Sequence, residues 1–267
     1  IMRTFLRVGD EIIAADNSFI GFRVLANASG IRTNWVPLNH YCHDLPAMTE
    51  YINNYTKIIY LANPDNPTGT YFTVKEFDTF MSQVPDRVLV ILDEAYFEYA
   101  EHLADYPDSM HYRYDNVITL RTFSKAHGLA GFRSGYGFAH ENLIKNLMKV
   151  KLPFEPSWPA QVAAMAALDD VSYIEKTVDI CHKEMKRLME VFQEMEMDVI
   201  SSGANFLTLI FDGEQEAESL SKAMLQKGII LRHLAGWGHE DCIRITIGTQ
   251  KENEYLIKCF SEILPIT

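Results

Sequence analysis

The chain has 267 residues, 48% of them apolar, which is enough for one large domain or two modest ones around a substantial core. Its formal charge of −12, without a Lys/Arg cluster, argues against nucleic acid or an anionic membrane as the main partner, because either would repel an acidic surface. Cys42, Cys181, Cys242 and Cys259 show no paired spacing and no apolar run reaches membrane-spanning length, so reduced thiols and a cytoplasmic location are expected.

In chain order, residues 1–6 have the character of the end of an amphipathic helix, followed by an Arg-Val-Gly-Asp turn and a strand at 11–15. This has the character of the middle of a domain, not of a cleavable signal. Further short apolar strands are expected at 33–37, 58–62, 88–92, 117–120 and 134–138, alternating with helical stretches. The fold class is therefore α/β, a three-layer, mainly parallel sheet covered by helices. One of those helices, 73–84, pairs Thr73 with Glu76 as a capping box and sets Phe77, Phe80, Met81 and Val84 on one packing face. In such sheets ligands collect beyond the carboxyl ends of the strands. Asn63, Asp93 and the loop carrying Lys125 each fall just past one.

The segment KLPFEPSWP at 151–159 interrupts the alternation with three prolines and marks a passage between domains. It divides a large domain, 1–155, from a smaller C-terminal α+β domain, 156–267, that includes a long connecting helix. A helix is expected from Ala160, then the longest one at 172–197, with Ser172 and Glu175 as a second capping box. Its apolar stripe of Ile174, Val178, Cys181, Met185, Leu188, Phe192 and Met195 is a packing face. Strands at 206–211, 229–231 and 243–247, with helices at 216–226 and 251–263, complete the chain.

Three segments carry chemistry: NPDNPTG at 63–69, DEAY at 93–96 and TLRTFSKAHGLAGFRSGYG at 119–137. Taken singly, each residue has an ordinary explanation. Lys125 suits a solvated loop, Asp93 a turn or helix cap, Asn66 a turn, Phe19 a core and Arg244 a strand edge. Their order, with 27 residues from Asn66 to Asp93 and 32 from Asp93 to Lys125, joins them. Together they resemble the pyridoxal-phosphate site of the fold-type-I, class II aminotransferases, and most nearly the histidinol-phosphate aminotransferase family.

The resemblance implies a fold-type-I large domain, pyridoxal 5′-phosphate as cofactor and a homodimer. Lys125 would hold the cofactor as an imine and carry a proton at the substrate α carbon. Asp93 would face the pyridine nitrogen and keep it protonated, so that the ring can accept electrons. Asn66 and Tyr96 would donate to the phenolic oxygen, while Thr122, Ser124 and Arg133 would hold the phosphate and Phe19 would lie on the ring. The catalytic set is Lys125, Asp93 and Tyr96. Arg244 in CIRITIGT matches the arginine that grips an α-carboxylate, and Arg232 in GIILRHL resembles the one that meets a substrate phosphate.

The implied reaction is transamination between histidinol phosphate and 2-oxoglutarate, with glutamate as its other product. Relatives acting on aromatic amino acids, or decarboxylating threonine phosphate, share nearly all these motifs. A third reading is a non-catalytic binding module. His127 stands where an aromatic residue is more usual, and 154–161 departs from the usual Asn-containing pattern, which sets Trp158 near the pocket mouth. The family's N-terminal helix start and its interface-crossing tyrosine have no counterpart in this sequence. His40, Cys42 and His43 are expected in a solvent-facing loop and no metal is expected, since a distant fourth ligand is lacking. HLAGWG at 233–238 is expected as a loop bordering the substrate entrance.

Overall fold

The structure, a computed structural model, describes residues 1–111 and 114–264. Its first sheet is fed by alternating elements: α1 (Met2–Phe5), β1 (Glu11–Ala15), α2 (Ile20–Ser29), β2 (Arg32–Val36), α3 (Leu45–Glu50), β3 (Thr56–Ala62), α4 (Val74–Met81), β4 (Leu89–Asp93), α5 (Phe97–Ala100), β5 (Val117–Thr122), β6 (Gly135–Ala139) and α6 (Glu141–Met148). The strands lie in the order β2-β1-β3-β4-β5-β6, parallel throughout except for β6, which runs against β5.

The pleat explains the three layers. In β3 and β4, Ile59, Leu61, Val90 and Leu92 point to one face, where they meet Phe77 and Phe80 of α4. Ile58, Tyr60, Ala62 and Ile91 point to the other, against Phe22 and Ala26 of α2. Both faces of the central strands are thus apolar, as a helix-covered parallel sheet requires. The α/β class expected from the sequence is the one observed.

The second half begins with α7 (Trp158–Asp169) and α8 (Val171–Glu194), followed by β7 (Asp198–Ile200), β8 (Phe206–Ile210), α9 (Glu214–Gln226), β9 (Arg232–His233), β10 (Cys242–Thr246) and α10 (Gln250–Ile263). The strands form an antiparallel sheet in the order β7-β8-β10-β9. Cys181, Met185, Leu188 and Phe192 of α8 pack with Leu207, Leu209, Leu220, Ile243 and Phe260 in one buried cluster, so the Met-bearing stripe is core.

Two local expectations need correction. The cap of α8 is Asp170, whose side chain accepts from the Tyr173 N–H at 3.2 Å, while Ser172 lies inside the helix and donates to Asp170. An aspartate at the α7–α8 break is already an effective acceptor, and a box starting at Ser172 is displaced by it. The strand expected at 229–231 forms later, at Arg232–His233, because its ladder partners are Ile243 and Arg244. Ile229 and Leu231 instead pack against the small-sheet core. A capping box that the sequence reading did not identify, Thr249 with Glu252, opens α10.

Contacts between the two sheets place the 63–69 loop. Gly203 N donates to Gly69 O at 2.8 Å and Thr208 Oγ1 to Pro67 O at 3.0 Å. Gly69 has φ +83°, and a Cβ there would come within 2.2 Å of Ser202 Oγ, so this close approach requires glycine. Among the described residues no helix is long and apolar enough to cross a membrane.

Candidate active site

The parallel register aligns the ends of three strands: Ala62 is opposite Asp93, and Asp93 opposite Leu120. The loops leaving those ends enclose a cavity of about 410 Å³. Its wall includes Phe19, Asn66, Asp93, Tyr96, Thr122, Ser124, Lys125 and Arg133, every residue that the sequence nominated for cofactor binding. Tyr60 and Arg121, which were not nominated, complete it on the sheet side.

Asp93 closes β4 with its carboxylate held by two donors. Tyr60 Oη donates to Oδ2 at 2.8 Å and Ala95 N to Oδ1 at 3.2 Å. Burial pushes this acid above the usual aspartate range; the Tyr60 and Ala95 hydrogen bonds and the charge of Lys125 oppose that rise, and Asp65 adds to it.

Lys125 sits in a closed loop between β5 and β6. Phe123 N donates to Ser134 O and Leu129 N to Phe123 O, while Ser124 N donates to Thr122 Oγ1 at 3.1 Å. Buried Phe123, Ala126 and His127 anchor that loop. His127 stacks at a tilt on Phe123, 5.0 Å between centroids, and sets Nε2 3.3 Å from Glu98 Oε1, so it fills the place of an aromatic ring. Lys125 Nζ stands 4.8 Å from the centroid of the Tyr96 ring, itself edge-on to Phe206. Arg133, in the left-handed region at φ 52°, donates to Ala130 O at 2.8 Å.

Phe19 caps the start of α2, and its ring folds back over Gly21, where a Cβ would lie 2.5 Å from Phe19 Cζ. Glycine at 21 is what lets the ring lie at the cavity mouth. On the opposite side Arg244 Nη1 donates to Asn66 Oδ1 at 2.5 Å, which leaves the Asn66 NH₂ as the donor free to serve a ligand. The Arg244 guanidinium lies 4.8 Å over the Phe206 ring, and its buried Nε has no hydrogen-bond partner. Burial, helped by neighbouring Arg232, pulls its pKa down. An anion would reverse both penalties.

Arg232 lies directly across the ladder from Arg244 and is exposed, 6.0 Å from the Trp237 ring; neither arginine lies on the cavity wall, which Arg244 meets through Asn66. The 233–238 segment forms a short 3-10 turn at Ala235–Trp237, and Gly238 lies against the Asn17 side chain, next to the loop that presents Phe19. Trp158 opens α7 with 75% of its surface exposed and takes no part in the cavity wall, so its expected place near the mouth is not observed.

A second buried acid was invisible in the sequence. Asp65 is fully buried; the Ser18 hydroxyl donates to Oδ1, Thr68 Oγ1 donates to Oδ2 at 3.0 Å, and its own N–H donates to Thr70 O at 2.8 Å. His43 Nε2 lies 3.3 Å from Oδ1 without hydrogen-bond geometry, and the His43 side chain is only 2% exposed. The expected solvent-facing loop is corrected here: His40 is exposed, Cys42 half-buried and His43 enclosed by the 63–69 loop. No group of His, Cys, Asp and Glu among the described residues could hold a metal. Asp65 therefore ties the Phe19-bearing loop to the Asn66-bearing loop.

The donor set suits a flat ring with an anionic arm. It offers a buried carboxylate, an amine, a carboxamide, a phenol, two hydroxyls, a guanidinium and an aromatic ring on one cavity wall. Comparison with known proteins points the same way. The sequence profile of the family described as Aminotransferase class I and II matches residues 1–260. A protein named histidinol-phosphate aminotransferase 2, from Hydrogenovibrio crunogenus, is 41% identical over 99% of this chain and 71% of its own length. A histidinol-phosphate aminotransferase from Moorella thermoacetica is 39% identical over 99% of this chain and 68% of its length. The crystal structure of the Sinorhizobium meliloti histidinol-phosphate aminotransferase in complex with pyridoxal-5′-phosphate superposes with a TM-score of 0.90 at 27% identity, covering 98% of this chain and 72% of that one.

Proposed function

This chain belongs to the aminotransferase class I and II family, and from that premise we propose that it binds pyridoxal phosphate in the cavity at the strand ends and transfers the amino group of histidinol phosphate to 2-oxoglutarate. The observation that carries this reading is the convergence of eight residues, drawn from positions 19 to 133, on one cavity wall. The relatives' names support the substrate.

When bound, the cofactor supplies an electron sink for the pair released at the substrate α carbon. The residues do the rest. Asp93 holds a proton at the ring nitrogen by opposite charge, in a pocket where burial makes that charge costly unless it is paired. Lys125 Nζ would accept the proton released at the substrate α carbon. Asn66 NH₂ and the Tyr96 hydroxyl hold the phenolic oxygen; Thr122, Ser124 and Arg133 bind the phosphate, and Phe19 covers the ring. Arg244 orients the carboxylate of glutamate, and Arg232, across the ladder from it, adds positive charge for the phosphate of histidinol phosphate, which has no α-carboxylate.

On this reading residues 1–155 are the cofactor domain and 156–267 the small domain, a division supported by the two separate sheets. The enzyme works as a homodimer, consistent with the exposed Trp158, Val162, Met165 and Leu168 of α7. The test is a substrate panel on protein supplied with pyridoxal phosphate. A kcat/KM for histidinol phosphate about a hundred-fold or more above that for phenylalanine is expected, the discrimination of a site that pairs a charged group. Equal or reversed preference removes the substrate assignment, carbon dioxide release from phosphothreonine replaces it with decarboxylation, and failure to take up the cofactor removes the reading itself.

A further inference from the structure

Tyr60, in β3 of the large sheet, places a hydroxyl where packing needs none. The ladder register explains how it reaches the site. Tyr60 pairs with Ile91, and two residues on Ala62 pairs with Asp93, so Tyr60 and Asp93 share a sheet face as diagonal neighbours. The Tyr60 ring is 4% exposed and stacks on Phe22 at 3.9 Å between centroids and 12° between planes. A phenylalanine would fill that space equally well. The hydroxyl instead meets Asp93 Oδ2 at 2.8 Å, and the residue also lines the cavity.

We propose that Tyr60 is a positioning residue that fixes the plane of the Asp93 carboxylate and holds it charged for the ring nitrogen of the cofactor. The inference rests on the functional reading above and names a residue that the reading does not use. The two carboxylate oxygens are each held by one protein donor, Tyr60 Oη on Oδ2 and Ala95 N on Oδ1. A carboxylate has about four acceptor positions, so two fixed donors define its orientation and leave capacity facing the cavity. Of the two donors only Tyr60 is a side chain. The other ionisable groups acting on Asp93 are Lys125, from the β5–β6 loop, and Asp65, from the loop after β3, and their charges oppose one another. Burial and the adjacent carboxylate push the Tyr60 phenol well above its usual range, so it keeps its proton and remains the donor at working pH.

The experiment compares wild-type protein, Tyr60→Phe, Asp93→Asn and the double variant for pyridoxal phosphate affinity across pH, read from the absorption of the bound cofactor. Tyr60→Phe is expected to weaken binding about ten-fold, the effect of one charge-assisted hydrogen bond, and to move the acid limb of binding up by about one pH unit, because a carboxylate that loses a donor takes up its proton sooner. In the Asp93→Asn background the same substitution should change affinity by less than about two-fold, since the coupling partner is gone. The inference is overturned if Tyr60→Phe leaves affinity and pH profile at wild-type values, or if its effect is the same in both backgrounds, as a purely structural loss would be. Wild-type protein that takes up no pyridoxal phosphate would overturn the functional reading itself, and is a distinct result.

Discussion

Arg121, on the wall of the cavity, and Arg244, which meets that wall through Asn66, belong to different sheets and are used in opposite ways. Arg121 is buried and fully engaged: Nε donates to Glu94 Oε2 at 2.8 Å, Nη2 to Asp108 Oδ1 at 2.9 Å, and the guanidinium lies 3.3 Å over the Phe97 ring. Arg244 has a single carboxamide partner and a buried Nε with none. The same contrast separates two buried acids. Asp65 is enclosed by Ser18, Thr68 and His43, whereas Asp93 has two donors and a face on the cavity. In these two pairs the satisfied charge belongs to the scaffold and the open one to the chemistry, because an incompletely paired buried charge is costly in the absence of a ligand.

That contrast can be broken by substitution. The largest effect should fall on Lys125: Lys125→Ala is expected to lower kcat by about 10³-fold or more, the scale of a lost general base and nucleophile, with the thermal midpoint of the cofactor-free protein unchanged. Arg121→Leu should show the reverse pattern. Leaving Glu94 and Asp108 without their cation should cost about 3 kcal/mol of stability in urea unfolding, and a variant of wild-type stability would refute the scaffold role.

Arg244→Leu should lower kcat/KM for glutamate about a hundred-fold through loss of the bidentate pair, yet leave cofactor-free stability close to wild type. A large loss of stability would move Arg244 to the satisfied class. The smallest effect concerns Asp93. Its folded pKa lies above the unfolded one, so its ionisation opposes folding most at high pH, and the penalty fades as pH falls through the folded value. Cofactor-free Asp93→Asn should therefore be at least as stable as wild type at pH 8, with any advantage shrinking toward pH 4. Calorimetry showing Asp93→Asn less stable at pH 8 and recovering in acid would contradict the sign.

Much of this was legible in the sequence, for identifiable reasons. Parallel strands buried on both faces give apolar runs whose ends can be located; Asp93 closes one such strand, and Asn66 and Lys125 lie in the loops just past two others. Tyr60 was not legible, because within a strand its ring looks like ordinary core and only the register of β3 on β4 brings the hydroxyl to Asp93. His43 was misplaced because a polar residue in a loop looks solvated until a buried acid from another loop is set beside it. The cap of α8 was misplaced by two residues, since Asp170 and Ser172 both carry acceptors and the α7–α8 break decides between them. Arg232 and Arg244 were both assigned to substrate by resemblance, and no signal in the sequence shows that both stay off the cavity wall.

The central claim, that the amine at position 125 and the acid at 93 serve one ring in one cavity, is tested most directly by loading the wild-type protein with pyridoxal phosphate, reducing it with borohydride and mapping the modified peptide. Label on Lys125, lost in Lys125→Ala, is the result predicted; label on another lysine, or none on protein that has bound the cofactor, would contradict it.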